Sequence, residues 1–73
     1  MNNDIYKNDH VYIAKKLRQA RLDSNMGQVE VSRKMNRTQS YISKLESGQI
    51  KFTVLQIQEF ARLYNKSLDY FIK

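Results

Sequence analysis

The 73-residue chain contains no proline and only two glycines, so few of its residues interrupt a helix. The spacing of apolar side chains must therefore locate the structural elements. No stretch alternates apolar and polar residues for more than a few positions, whereas apolar residues recur at intervals of three and four along most of the chain. This pattern predicts an all-α protein.

Residues that favour helix ends divide the pattern into five short helices, predicted over 10 to about 25, 28–35, 39–47, 54–64 and 68–72. The predicted ends are places where Asn or Gly, which tolerate the left-handed backbone that closes a helix, follows the periodic residues. They are Asn25 with Gly27, Asn36, Gly48 and Asn65. Residues 1–9 show no apolar period and are interpreted as a flexible tail before a single domain over 10–73.

Capping residues mark the predicted helix starts. Asp9 and Thr38 are interpreted as N-caps of the first and third helices, and Ser67 as that of the last. Thr53 with Gln56 three residues later is typical of a capping box. The apolar faces together form one small core, which is all that a chain of this length supports. The predicted core residues are Ile13, Leu17, Ala20, Val31, Met35, Ile42, Leu45, Ile57, Phe60, Ala61, Tyr64, Leu68, Phe71 and Ile72.

Composition argues against several kinds of site. Without cysteine the chain has neither a disulfide nor a thiolate metal site, and its single histidine, His10, is too few for the usual zinc ligands. His10 is also the sole candidate general base, and no serine lies at a helical spacing from it. The chain has no glycine-rich phosphate loop either. We expect no enzymatic activity and no cofactor.

The net charge of +6 favours a polyanionic partner. Nucleic acid is the first candidate and an anionic membrane surface the second, but the basic residues are divided among short helices instead of lining one long helix. No apolar run approaches the roughly 18 residues of a membrane span, and the amino terminus lacks the features of a signal peptide. We expect a soluble cytoplasmic protein.

The stretch from Gln28 to Gly48 contains the most specific motif. Two short helices joined by so brief a connection cannot lie antiparallel, so they must cross steeply, as in a helix-turn-helix. The chain resembles the Cro/repressor-like (XRE-type) helix-turn-helix family in the string GQVEVS at residues 27–32 and in MNRTQSYISKLESG at residues 35–48. The resemblance extends over about residues 11–72. It implies a compact five-helix, lambda-repressor-like DNA-binding domain with the motif at helices 2 and 3.

Four positions depart from the family pattern, which has Ser or Thr at Gly27, Ala at Ser32, Gly at Asn36 and commonly Pro at Phe52. The hydroxyl of Ser32 must then bond back to the preceding turn of its helix. Asn36 imitates glycine by adopting the left-handed conformation. These departures lower the expected stability without removing the architecture.

The resemblance implies that the third helix is a recognition helix whose first residues enter the major groove. Glutamine suits an adenine edge, lysine suits guanine, and serine suits either base. The tyrosine is expected to press on a thymine methyl or on the sugar-phosphate backbone. The predicted base-reading residues are Gln39, Ser40, Tyr41, Ser43 and Lys44.

Other positions that match the family imply support for this contact. Gln28 is expected to reach a phosphate and to brace Gln39. Arg21 and Glu46 are expected to form an ion pair that holds the recognition helix at its angle. Basic side chains predicted to contact phosphate, which fixes register without reading sequence, are Lys15, Arg18, Arg37 and Lys51.

The last two helices carry more apolar surface than one small core hides, which predicts a two-fold homodimer. The candidate interface residues are Leu55, Leu63, Tyr64, Tyr70 and Phe71. A dimer sets two recognition helices about 34 Å apart, to match a palindromic operator in double-stranded DNA.

The prediction is a bacterial or phage-type transcriptional regulator, a repressor or a restriction-modification controller, without a small-molecule effector. The alternative is an antitoxin or interaction module that binds a partner protein through its last helices.

Overall fold

The computed structural model describes the backbone of residues 3–72 and the side chains of residues 10–72. Its helices are α1 (Asn3–Asp23), α2 (Gln28–Met35), α3 (Gln39–Glu46), α4 (Val54–Tyr64) and α5 (Leu68–Ile72), and the described backbone contains no strand. The predicted all-α architecture of five helices is confirmed. No helix in this part of the chain has both the length and the hydrophobicity to cross a bilayer.

Helix α1 is the support on which the domain packs. It contacts α3, α4 and α5, while α2 packs on α3 and α4 on α5. Leu17 and Ala20 of α1 lie in one cluster with buried side chains from each of the other helices. Most of the predicted core residues are buried. The exceptions are Ile13, Met35 and Leu68, which are partly buried at the edge of the core, and Ile72, which is half exposed.

Tyr64 and Phe71 belong to this core. Their exposed fractions are 4% and 0%, so neither side chain is available to a second chain. Their predicted place in a dimer interface is therefore wrong. The apolar pattern of α4 and α5 does not reveal which side chains another helix covers, and here α5 packs against the distant α1.

Asparagine makes three of the turns between helices. Asn25, Asn36 and Asn65 have φ angles of 57°, 56° and 55°. Asn36 and Asn65 are the C-caps of α2 and α4, and their backbone N–H groups donate to carbonyls of the last helical turn. Asparagine enters this left-handed region more readily than other residues with a side chain, which confirms the predicted ends. Gly48, with φ 79°, follows α3 in the same role.

Two predicted boundaries need correction. Gly27 has φ −85° and ψ 166°, which is an extended conformation. It therefore does not form the predicted left-handed turn after α1, and it is instead the N-cap of α2. Helix α3 stops at Glu46, because Ser47 is its C-cap. The starts of α2, α3 and α4 lie at the predicted residues.

The start of α1 is a larger correction. The helix begins at Asn3, so the predicted start at His10 with Asp9 as N-cap is wrong. Residues 3–9 contain neither proline nor glycine, and extending a helix that already exists costs little compared with starting one. An apolar period indicates which residues are buried, and a helix continues without it. The side chains of residues 1–9 lie outside the described part, so the division into tail and domain stays a prediction.

Candidate nucleic-acid interface

The helix-turn-helix consists of α2 and α3, which pack against each other. After Asn36 reverses the chain, Thr38 starts α3 with an extended backbone, φ −84° and ψ 156°. Thr38 Oγ1 accepts a hydrogen bond from the backbone N–H of Tyr41 at 3.1 Å. This bond satisfies one of the N–H groups that a helix start leaves free, and so fixes where α3 begins.

Helix α3 divides cleanly into an inner and an outer face. Ile42 and Leu45 are each 1% exposed and lie in the core. Among the described side chains, no hydrogen bond involves the exposed polar side chains of this helix, so all of their donors and acceptors are free for a ligand. These exposed residues are Gln39, Ser40, Ser43 and Lys44.

Ser32 occupies a buried position of α2. It is 6% exposed, and its Oγ donates to the carbonyl oxygen of Val29 at 2.7 Å. This is the predicted bond to the preceding turn. Because the hydroxyl is satisfied within its own helix, Ser32 brings no unpaired polar group into the core.

The carboxylate of Glu46 connects α3 to both preceding helices. Arg21 of α1 donates to it twice, through Nε to Oε2 at 2.8 Å and through Nη2 to Oε1 at 3.0 Å. Arg21 Nη1 also donates to the carbonyl of Met26 at 2.9 Å. Gln28 of α2 donates through Nε2 to Glu46 Oε1 at 3.3 Å. A paired contact of this kind sets direction as well as distance, so it holds α3 at a defined angle to α1.

This ion pair is shielded from water, since the side chains of Arg21 and Glu46 are only 9% and 5% exposed. The hydrogen bond to Glu46 raises the pKa of the Arg21 guanidinium above its ordinary value, against the opposing effect of burial. Burial also raises the pKa of the neighbouring Tyr64 phenol, and the charge of Glu46 raises it further. Arg21 therefore stays charged and Tyr64 stays neutral at physiological pH.

The described contacts do not include the expected brace between Gln28 and Gln39. Gln28 bonds to Glu46 at the last turn of α3, whereas Gln39 is the first residue of that helix. The two ends are about 10 Å apart along the helix axis, too far for one amide to contact both. Gln28 thus belongs to the Arg21–Glu46 cluster in this structure.

Tyr41 is half-buried, unlike the exposed residues before it on α3. Its hydroxyl accepts a hydrogen bond from Nε2 of Gln56, a residue of α4. The Cζ atom of Arg37 lies 5.7 Å from the centroid of the Tyr41 ring, within the range of a cation–π contact. The sequence does not indicate that Gln56 is a neighbour of Tyr41. The capping-box motif indicates only the local role of Gln56 and not the helix that packs beside it.

The basic residues predicted to contact phosphate, Lys15, Arg18, Arg37 and Lys51, are all exposed. On α1, Arg18 lies one turn before Arg21, so it follows the side of α1 that meets α3. Because Arg21 neutralises Glu46, the remaining charge on α3 is that of Lys44. The exposed Lys44 and the exposed Arg37 in the turn before α3 thus give this side of the domain a positive charge, which suits a phosphate backbone.

Leu55 is the most exposed of the predicted dimer residues, at 71%, while Leu63 and Tyr70 are half-buried. The Tyr70 ring lies between two lysines, 4.5 Å from Nζ of Lys16 and 4.7 Å from Nζ of Lys66. Val54, next to Leu55, is 63% exposed. Within the described part of the chain, the start of α4 thus presents the two most exposed large apolar side chains.

His10 is a residue of α1, and its side chain packs against the loop before α4. Its ring centroid lies 4.8 Å from that of Phe52, and its buried Nε2 has no hydrogen-bond partner among the described residues. The contact shows that His10 belongs to the folded domain.

A family model described as helix-turn-helix matches residues 17–71, which include α2 to α4, the last third of α1 and all of α5 except its final residue. No curated protein and no solved structure matches the chain. The matched segment contains the ion pair, the turn at Asn36 and the whole exposed face of α3.

Proposed function

The chain belongs to the Cro/C1-type (XRE) helix-turn-helix family of DNA-binding regulatory domains, and from that premise we propose that it is a sequence-specific transcriptional regulator. It reads a palindromic operator through the major groove as a homodimer, and it represses or controls promoters by occupying them. Such a regulator acts where the DNA lies, in the cytoplasm of a bacterial host. It responds to no small-molecule effector.

One observation carries this proposal: the polar residues that open α3 are exposed and unbonded, while hydrogen bonds from side chains of α1, α2 and α4 hold the helix itself. A rigid helix with free donors and acceptors is what base reading needs, because side chains must meet base edges in a set register. Gln39 and Ser40 enter the groove first in this arrangement, followed by Ser43 and Lys44.

The function is tested by selecting bound oligonucleotides from a random duplex pool at about 150 mM salt, close to physiological ionic strength. A symmetric enriched site supports both sequence-specific binding and a two-fold dimer. A pool that emerges unenriched contradicts the regulator.

Gln39→Ala is expected to relax the base preference at one position in each half-site, at a cost of about 1–3 kcal/mol against the preferred base. Lys51→Gln, its matched comparison, removes a positive charge that is expected to contact a DNA phosphate. It should weaken binding to all sequences alike and reduce the salt dependence of binding, d log K/d log[salt], by about one. Repeating the selection and titrating salt for each variant separates the two effects. If Gln39→Ala leaves the enriched sequence unchanged, Gln39 does not read a base.

The dimer is supported by the exposed apolar side chains at the start of α4. Burying an apolar side chain as exposed as Leu55 stabilises the complex that buries it, and a second copy of the chain is the simplest partner for such a complex. Leu63 and Tyr70 lie partly open on α4 and α5, and we place them at the edge of the same interface.

Leu55→Glu is expected to convert a dimer at tens of micromolar into a monomer, because a charge would have to be buried in the interface. Sedimentation of the two proteins measures this directly. Leu22→Glu is the control, since Leu22 is also exposed, at 44%, but lies on α1. A wild-type chain that sediments as a monomer with and without its operator excludes the dimer.

The same exposed pair, Val54 and Leu55, also supports the second candidate, an antitoxin that binds a partner protein there. The two functions differ in what Leu55→Glu disrupts. In the antitoxin the wild-type chain is monomeric, and the substitution releases the partner protein encoded beside it.

A further inference from the structure

Gln56 connects the start of α4 to the recognition helix through both ends of its amide. Its Oε1 accepts from the backbone N–H of Thr53 at 2.9 Å, and its Nε2 donates to the hydroxyl of Tyr41. Because the amide oxygen is engaged by a backbone donor, reversing the amide would leave that donor without an acceptor. The orientation of Gln56 is thus fixed by the capping box, and Tyr41 Oη is the acceptor.

This direction of bonding leaves the phenol hydrogen of Tyr41 unused. A tyrosine hydroxyl carries one hydrogen, and the amide NH₂ that faces it has no lone pair to accept it. Among the side chains of residues 10–72, no acceptor is bonded to that hydrogen. Tyr41 is only half-buried, so its hydroxyl is a positioned donor within reach of a ligand.

A positive charge lies beside the same ring, because the guanidinium of Arg37 is 5.7 Å from its centroid. Arg37 is exposed and occupies the turn just before α3. An oriented hydroxyl donor on a ring that is flanked by a guanidinium suits a singly charged oxyanion with several acceptor oxygens, which is the chemistry of a phosphodiester. A thymine methyl would make no use of either group.

We propose, building on the DNA-binding function above, that Tyr41 and Arg37 form a binding site for one backbone phosphate and that Gln56 is its positioning residue. Tyr41 Oη donates its hydrogen to a phosphate oxygen while it accepts from Gln56. Tyr41 then contributes affinity and register, whereas base discrimination belongs to the exposed residues Gln39, Ser40, Ser43 and Lys44.

The test is a double-mutant cycle of Tyr41→Phe and Gln56→Glu, measured as DNA affinity of the full chain. Gln56→Glu keeps the capping box, since a glutamate at this position also accepts from the Thr53 N–H. A carboxylate cannot donate to Tyr41, so the phenol must turn its hydrogen to the new carboxylate and away from phosphate. The substitution therefore reverses the hydrogen bond and preserves the helix start.

In the wild-type background, Tyr41→Phe should weaken binding about tenfold, as expected for a lost hydrogen bond to a charged group. The loss should be the same for the enriched operator and for an unrelated duplex. In the Gln56→Glu background, Tyr41→Phe should cause no further loss. Both proteins in that second comparison carry the added negative charge, so its repulsion of DNA cancels.

The salt dependence of DNA binding separates the roles of the Arg37 and Tyr41 side chains. Arg37→Gln should reduce the slope d log K/d log[salt] by about one, whereas Tyr41→Phe should leave it unchanged because a neutral donor releases no counterion. Tyr12→Phe on α1 is the matched control and should bind like wild type. Melting temperatures within error of wild type for Tyr41→Phe and Tyr12→Phe exclude a loss of folding.

Three results would overturn this inference: wild-type affinity in Tyr41→Phe, a changed base preference at any operator position, or an equal loss in both backgrounds of the cycle. A wild-type chain that binds no duplex refutes the proposed function itself. That outcome is distinguishable, because the measurements on the wild-type protein come first.

Discussion

Replacing Glu46 with alanine is expected to lower the free energy of unfolding by about 3–5 kcal/mol, because it leaves the Arg21 guanidinium buried without its partner. Native domains are stable by only about 5–15 kcal/mol, so a loss of this size brings a small domain close to unfolding. Arg21 and Gln28 together donate three hydrogen bonds to this carboxylate, and all three are lost. Thermal melting followed by circular dichroism measures the effect.

Two controls distinguish a stranded charge from a general sensitivity to mutation. Glu59→Ala removes an exposed carboxylate from α4 and should change stability by less than about 0.5 kcal/mol. The double variant Arg21→Met, Glu46→Met removes both charges together and should recover much of the loss, since an apolar pair carries no desolvation cost. Glu46→Ala with the melting curve and DNA affinity of wild type would show that the pair does not hold α3.

Phe71→Ala is expected to destabilise the domain by about 3–5 kcal/mol, because a large side chain that is fully buried leaves a cavity. The melting temperature should fall by more than about 10 °C in a domain of this size. The decrease should be the same at low and high protein concentration, since Phe71 contributes to the core of a single chain. An interface residue would instead give a loss that depends on concentration.

Ile72→Ala is the matched control for Phe71→Ala. It changes the next residue of the same short helix, where the side chain is 50% exposed, and should cost much less. Equal losses from the two substitutions, or a Phe71→Ala effect that disappears on dilution, would return Phe71 to an interface.

The elements with clear end signals were predictable. Thr38 and Thr53 each act through a side-chain hydrogen bond, and Asn36 acts through its backbone angle, so the starts of α3 and α4 and the end of α2 were predicted correctly. The start of α1 was not, because its first residues are helical without an apolar period. An apolar period predicts which side chains of a helix are buried. A helix also continues through residues that show no such period, and their helical state cannot be read from it.

The candidate site shows the same division between local and tertiary information. The exposed face of α3 follows from helical spacing once Ile42 and Leu45 are assigned to the core. The partner of Gln28 depends on which end of α3 lies beside the start of α2, and the partner of Gln56 depends on how α4 lies against α3. Those placements are set by the packing of whole helices, which no short motif specifies.

The four exposed side chains of α3 are independent of everything that keeps the domain folded. Gln39, Ser40, Ser43 and Lys44 support no other described side chain, and the capping bond, the ion pair and the buried residues that fix the helix all lie elsewhere. Exchange of these four residues therefore leaves the scaffold intact. Selection or protein engineering is free to retarget such a domain to a different operator without having to restore its stability afterwards.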